Sequence, residues 1–262
     1  MNNLQILIND KLSKTTDTVS ILLKDLTNNK IILDINSNTT VISASTIKVP
    51  IMLSVLHKLN ECSLPLDTVI TITDNDVLDD TKVIINNSYT IEELLYWMII
   101  NSDNTATNAL IRFIGIDYIN AYIHNVLHLK STKLERLMLD FKAIENGKNN
   151  YTSEQDLLHV FECLFNKKIL NDDLCDIAIN ILYAQRNKDF ILRHVYTPIP
   201  FAHKTGDLDY LIHDVGVITI NNINYYIGIS ITDSSYIDGN TMLMGKLGKT
   251  IINYLQQNKD ED

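Results

Sequence analysis

Three short polar groups in this sequence carry the residue types that nucleophilic chemistry on an amide requires. The first is Ser45-Thr46-Ile47-Lys48, placed where an irregular segment, residues 38–44, gives way to an apolar helix. Positions i and i+3 share a helix face with Cβ atoms about 5–6 Å apart, so the Lys48 amine can reach the Ser45 hydroxyl. Serine is a poor nucleophile until a base takes its proton, and Lys48 can be that base once burial or a second cation depresses its pKa. At a helix start the Ser45 N–H also points outward beside the positive end of the dipole, which suits an oxyanion site. Taken alone, the tetrapeptide reads equally well as an N-cap serine followed by a solvated lysine.

The second group, Ser102-Asp103-Asn104, follows one apolar helical segment and precedes another. It puts a hydroxyl, a carboxylate and an amide in one turn, able to move a proton and to grip a substrate amide, or merely to cap the next helix. The third is Lys204-Thr205-Gly206, inside His203-Lys204-Thr205-Gly206-Asp207-Leu208-Asp209 and just ahead of a strand at His213. With only 8 glycines in the chain, Gly206 marks a strand position that a ligand approaches closely. Lys204 can then supply the second cation, lowering the pKa of Lys48 and attracting a carboxylate; the plain alternative is an exposed strand lysine beside a turn.

In this order and context (helix start, helix junction, strand before a hairpin) the triplets match the S-x-x-K, S-D-N and K-T-G set of class A β-lactamases and penicillin-binding proteins. The flanking text, Ser43 to Ile51, Met98 to Asn108 and Ala202 to Asp209, also resembles class A β-lactamase-related serine hydrolases, over roughly residues 18–256. The resemblance implies that Ser45 is acylated, Lys48 activates it, Ser102 relays a proton to the leaving nitrogen and Asn104 holds the substrate amide. Lys204, Thr205 and Gly206 are implied to bind the substrate carboxylate side, with the backbone N–H groups of Ser45 and Asp207 forming the oxyanion hole. The expected substrate is a β-lactam or a D-Ala-containing peptide, with no cofactor and no metal. D-Ala-D-Ala carboxypeptidase or esterase activity, and a penicillin-binding sensor without turnover, are the alternatives, since all share the acyl-enzyme step.

The pattern fails in one loop. Hydrolytic members carry an Arg and, two residues on, a Glu that activates the water releasing the acyl group; the best match here, Thr132 to Lys142, puts Arg136 at the first position and Met138 at the second. Met cannot polarise water, so either Asp140 or Glu145 acts instead or deacylation is slow. The strand position where many β-lactamases hold the carboxylate with an Arg reads His213 or Ile212, leaving Arg193 as the substitute.

The elements that must position these groups follow from periodicity. Residues 3–13 read as an amphipathic helix, and 18–24 and 30–35 as strands joined through Asn28-Asn29. Segments 45–60, 91–100, 104–114, 117–128, 153–166 and 171–184 place apolar residues at three- and four-residue spacings. After Pro198 and Pro200 the pattern returns to strands, 213–220 and 225–232 around an Asn221-Asn222 turn, then a helix at 240–256 and a charged tail. The expected class is therefore α/β of the α+β kind. The resemblance gives it an antiparallel five-stranded sheet with flanking helices, residues 1–40 and 188–262, and an inserted all-helical domain, residues 41–187, with the site in the cleft between them.

Composition sets the outer bounds. The 262 residues carry 22 Lys+Arg against 32 Asp+Glu, a net charge of -10, which argues against nucleic acid as a partner because phosphate neutralisation needs clustered cations. The cysteines, Cys62, Cys163 and Cys175, are odd in number and lack C-x-x-C spacing, so they read as three buried free thiols. His124 and His128 lack the intervening Glu of a zinc protease helix, and Asp74, Asp76, Asp79 and Asp80 lack the Gly and closing Glu of a calcium loop. The densest apolar run, 94–100, is too short to span a bilayer, so no membrane partner is expected and the chain reads as a monomer. Taken from Met1 it reads as cytoplasmic, and as secreted or cell-surface if a leader has been removed.

Overall fold

The computed structural model describes residues 3–73, 76–78, 81, 88–234 and 237–257. Asp74, Asp79, Asp80 and the tail at 258–262 lie outside the described residues. In chain order, α1 (Asn3–Leu12) leads into the hairpin β1 (Thr18–Asp25) and β2 (Lys30–Ile35), then a short strand β3 (Val41–Ile42). A single 3-10 turn, Ala44–Ile47, feeds α2 (Lys48–Cys62). The small pair β4 (Val69–Thr71) and β5 (Ser88–Thr90) comes next, then α3 (Ile91–Ile100), α4 (Asn104–Ile114), α5 (Ile116–Asn125) and α6 (Phe141–Glu145). The chain ends with β6 (Tyr151–Thr152), α7 (Glu154–Phe165), α8 (Asp172–Tyr183), the meander β7 (Phe201–Leu208), β8 (Leu211–Ile220) and β9 (Ile223–Thr232), and α9 (Ile237–Gln257).

β1 and β2 from one end of the chain join β7 to β9 from the other in one antiparallel sheet of order β2-β1-β9-β8-β7. β1, β8 and β9 are buried on both faces, which is why they read as nearly continuous apolar runs, whereas the edge strand β2 is largely exposed. Ile21 and Leu23 of β1, Ile212, Ile218 and Ile220 of β8 and Ile227, Ile229 and Ile231 of β9 pack on Leu4 and Ile8 of α1 and on Met244, Leu247 and Ile251 of α9. The alternate positions Leu22, Val215, Val217 and Tyr226 face the larger core built by α2, α3, α4, α5, α7 and α8. β7 is an edge strand, so its outer backbone is available to other partners.

Local chemistry fixes the element ends. Asn221 and Asn222, with φ of 54° and 64°, make the two-residue turn between β8 and β9 that favours left-handed residues. Thr90 and Glu93 form a reciprocal capping box that starts α3. Ser63 stops α2 with a left-handed φ of 51°. The helix expected from residue 45 divides into the 3-10 turn and α2, because Pro50 lacks an N–H and leaves the first turn loosely bonded. The pairs β3·β6 and β4·β5 were not expected; runs of two or three residues carry no readable period.

Candidate active site

Lys48, on the first turn of α2, is fully buried, and its ammonium donates to Ser102 O at 2.7 Å, Ser102 Oγ at 3.1 Å and Asn104 Oδ1 at 2.8 Å. Lys204, on β7 and equally buried, donates to the same Ser102 Oγ at 3.1 Å and to the Thr205 carbonyl at 2.6 Å. Ser102 has φ of 54°, a conformation a non-glycine residue adopts only when its surroundings enforce it. The enforcing groups are the two ammonium ions and the Asp103 N–H, which donates to Trp97 O at 3.1 Å. Asp103 is the N-cap of α4, accepting from the Ala106 N–H at 2.8 Å, so only the middle residue of the trio takes the capping role.

Ser45 lies on the 3-10 turn, half-buried, directly after Ala44 with its φ of 43°. The turn packs on β7 at Gly206, where a Cβ would stand 2.8 Å from the Ser45 N and 3.1 Å from the Thr46 N. The glycine is therefore required by the Ser45 turn itself, a tighter reason than approach of a ligand. Ser45, Lys48, Ser102, Asn104, Lys204, Thr205 and Gly206 are thus joined by direct contacts or chain adjacency. Asp207 follows on β7 with an exposed side chain. Burial pushes the Lys204 ammonium down to about 8, against the pull of the Asp207 and Asp214 carboxylates.

The other expected acids and cation are engaged differently. Asp140 accepts from the Ala143 N–H at 3.0 Å as the N-cap of α6, and Glu145 is exposed at that helix's end. Met138 is 7% exposed, packs into the larger core, and has its N–H and carbonyl bonded to the Asn108 side chain at 2.8 and 3.1 Å. Arg193 does not replace the missing arginine: its Nε points to Met242 Sδ at 3.3 Å and its stem packs on Gly245, both on α9 behind the sheet. Asp76 pairs with Arg112, and no group of three or more potential metal ligands occurs among the described residues. The three thiols are free, but Cys175 is buried, Cys163 half-buried and Cys62 exposed, at the end of α2.

The sequence reading missed the residues that hold the loop between α5 and α7. Asp156 accepts from the N–H groups of Lys130, Ser131 and Thr132, Asn150 Oδ1 from those of Glu135 and Arg136, and Asn120 Oδ1 from that of Leu134. Arg136 is buried and donates to Asn149 Oδ1 at 3.0 Å. The Asn150 carbonyl accepts from Ser43 N–H at 2.9 Å, tying this loop to the Ser45 turn. A cluster of asparagines between 146 and 150 was the available signal, since such side chains substitute for backbone partners in irregular segments.

Known proteins point the same way. A family model described as the beta-lactamase enzyme family matches residues 3–255. A beta-lactamase of Bacteroides uniformis is 24% identical over 230 residues, 79% of this chain and 76% of its own length. The crystal structure of TLA-3 extended-spectrum beta-lactamase superposes with a TM-score of 0.90 at 21% identity, covering 97% of this chain and 98% of that one. PBP-A superposes with a TM-score of 0.87 at 22% identity, covering 98% and 97%. The match of one family model to nearly the whole chain, on a fold shared with both beta-lactamases and PBP-A, means that this chain belongs to the beta-lactamase enzyme family.

Proposed function

We propose that the protein is a serine acyl-enzyme former that opens a β-lactam or a D-Ala-type amide through Ser45 and releases the acyl group slowly. The observation that carries this reading is the Ser102 hydroxyl suspended between two buried ammonium groups, each 3.1 Å away. With both acceptor positions filled by N–H donors, its own O–H must point away from the lysines, toward whatever occupies the cleft. A leaving amine needs such a proton.

In this reading the resting Lys48 ammonium first gives up one of its three donated protons to solvent, and the resulting amine takes the Ser45 Oγ–H proton while Oγ bonds to the carbonyl carbon. The proton then moves through Ser102 Oγ to the leaving nitrogen as the C–N bond breaks. The N–H groups of Ser45 and Asp207 receive the oxyanion, Asn104 holds the substrate amide, and Lys204 with Thr205 meets the carboxylate. Slow release follows from Met138, whose thioether gives water no base.

A fluorescent penicillin is expected to label the intact protein and to leave Ser45→Ala unlabelled; equal labelling of both overturns Ser45 as the nucleophile. Intact-mass measurement of the adduct over hours separates the outcomes for release. A persistent adduct supports slow deacylation and the sensor-like alternative, and loss within seconds identifies an efficient hydrolase. Parallel turnover assays with a D-Ala-D-Ala peptide and a simple ester identify the amide or ester preferred.

A further inference from the structure

We infer that His213 positions the Ser45 turn through one hydrogen bond from its imidazole to the Ile42 carbonyl, an inference that rests on Ser45 being the nucleophile. His213 lies on β8 directly opposite Gly206 of β7, the glycine against which the Ser45 turn packs. Its side chain is 1% exposed, and Nε2 stands 2.8 Å from Ile42 O. A carbonyl only accepts, so Nε2 carries the hydrogen, while Nδ1 has no hydrogen-bond partner among the described residues. The ring is therefore a fixed, neutral tautomer; burial pushes its pKa down to about 4 against the pull of the Ile42 and Ile212 backbone.

What this bond holds is the segment that leads into the Ser45 turn, just before the turn packs on β7 at Gly206. Ile42 ends β3, a strand of two residues, and Ser43 and Ala44 lead from it into Ser45. The Ser43 N–H is bonded to Asn150 O at 2.9 Å, and the Ser43 carbonyl accepts from Thr46 N at 3.1 Å and Thr46 Oγ at 2.6 Å. Ala44 sits at φ 43°, in the left-handed region that a side-chain-bearing residue keeps only when both flanks are fixed. His213 and the Asn150 carbonyl grip the two ends of one peptide unit, the Ile42 carbonyl and the Ser43 N–H, and so tie the N-terminal flank of Ala44 to the central sheet and to the loop between α5 and α7, while Thr46 and the packing on Gly206 hold the other flank. The described hydrogen bond of His213 goes to the Ile42 backbone and not to Ser45, so it acts through the backbone, as a positioning residue.

The test compares His213→Leu, which keeps the bulk and removes the donor, with His213→Gln, whose terminal N–H reaches as far as Nε2, and His213→Asn, whose N–H does not. Two readouts are taken on the whole chain: the rate of labelling by fluorescent penicillin, resolved into binding and acylation, and amide hydrogen exchange at Ser43 to Thr46. A misplacement of about 1 Å costs on the order of 100-fold in rate. The expected result is an acylation rate at least about tenfold lower in the Leu and Asn variants, with binding little changed, faster exchange at Ser43 to Thr46, and recovery of both in the Gln variant. If the Leu variant does not fold, the Gln and Asn pair decides. Wild-type acylation and exchange in the Asn variant, or equal impairment in Gln and Asn, overturns the inference. If the wild type takes no label, the reading of Ser45 falls, and the exchange arm still shows whether His213 holds the turn.

Discussion

One hydroxyl shared by two ammonium groups has its direction of donation decided for it, and that makes Lys204 a group whose protonation state is felt twice. It holds Ser102 in place at 3.1 Å, and in the proposed mechanism it meets the substrate carboxylate. Burial brings its pKa down to about 8, so its charge is lost as pH rises through 8. The sign for stability is that the unfolded chain binds this proton more tightly than the folded one. The cost of keeping Lys204 charged is fully present below pH 8 and declines above it. For activity the sign is opposite, since the neutral amine no longer attracts an anion. The acylation rate with a carboxylate-bearing β-lactam is expected to fall about tenfold per pH unit above pH 8. Lys204→Arg, which does not titrate, should flatten that limb even if its absolute rate is lower. An unchanged limb in the Arg variant would assign the titration to another group.

At the scale of elements, the long helices and the central strands were legible because period and length agree: 91–100 and 104–114 are read with the same bounds that the structure gives. The triplets were legible by their order and context, and they come together in space: buried Lys and Asn are costly without partners, and Lys48 and Lys204 both donate to Ser102, Lys48 also to Asn104. The loop between α5 and α7 was not legible. Its shape is dictated by side chains from elsewhere, Asn108, Asn120 and Asp156, bonding to its backbone, and no local period records that. Arg193 was misplaced for the same reason: spacing along the chain does not say which face of the sheet a connecting segment covers. Because Asn108 fixes the Met138 backbone at both its N–H and its carbonyl, a side chain exchanged there keeps its anchor point. Met138→Glu is therefore expected to speed release of the penicilloyl adduct at least about tenfold, general-base assistance contributing on the order of 100-fold or more where geometry is good. Intact-mass decay curves measure this. An adduct equally persistent in both proteins would show that release is limited by something other than a missing base at residue 138.

Across the whole molecule, the sheet separates two apolar cores, and the Glu154 carboxyl is buried where α7 meets the strands. Glu154, 1% exposed, accepts from Ser230 Oγ and, at 2.9 Å, from Tyr226 Oη. Room for it exists only because position 228 has no side chain, since a Cβ there would overlap Glu154 Oε2. Burial raises its pKa to about 7, with the Asp214 charge adding to the rise and the two hydroxyl donors opposing it. The sign is now that of an acid held protonated. The folded state binds the proton more tightly than the unfolded chain, so the contribution to stability is fully present below about pH 4.5 and is lost as pH rises through 7. Glu154→Gln keeps the size and the acceptor oxygen and removes the charge. It is expected to match the wild type in denaturant unfolding near pH 4.5 and to exceed it at pH 8 by on the order of 3 kcal/mol. That amounts to several degrees in melting temperature for a chain of this size. Equal destabilisation at both pH values would mean that the pocket is built for the anion, with Ser230 and Tyr226 as its hydrogen-bond donors.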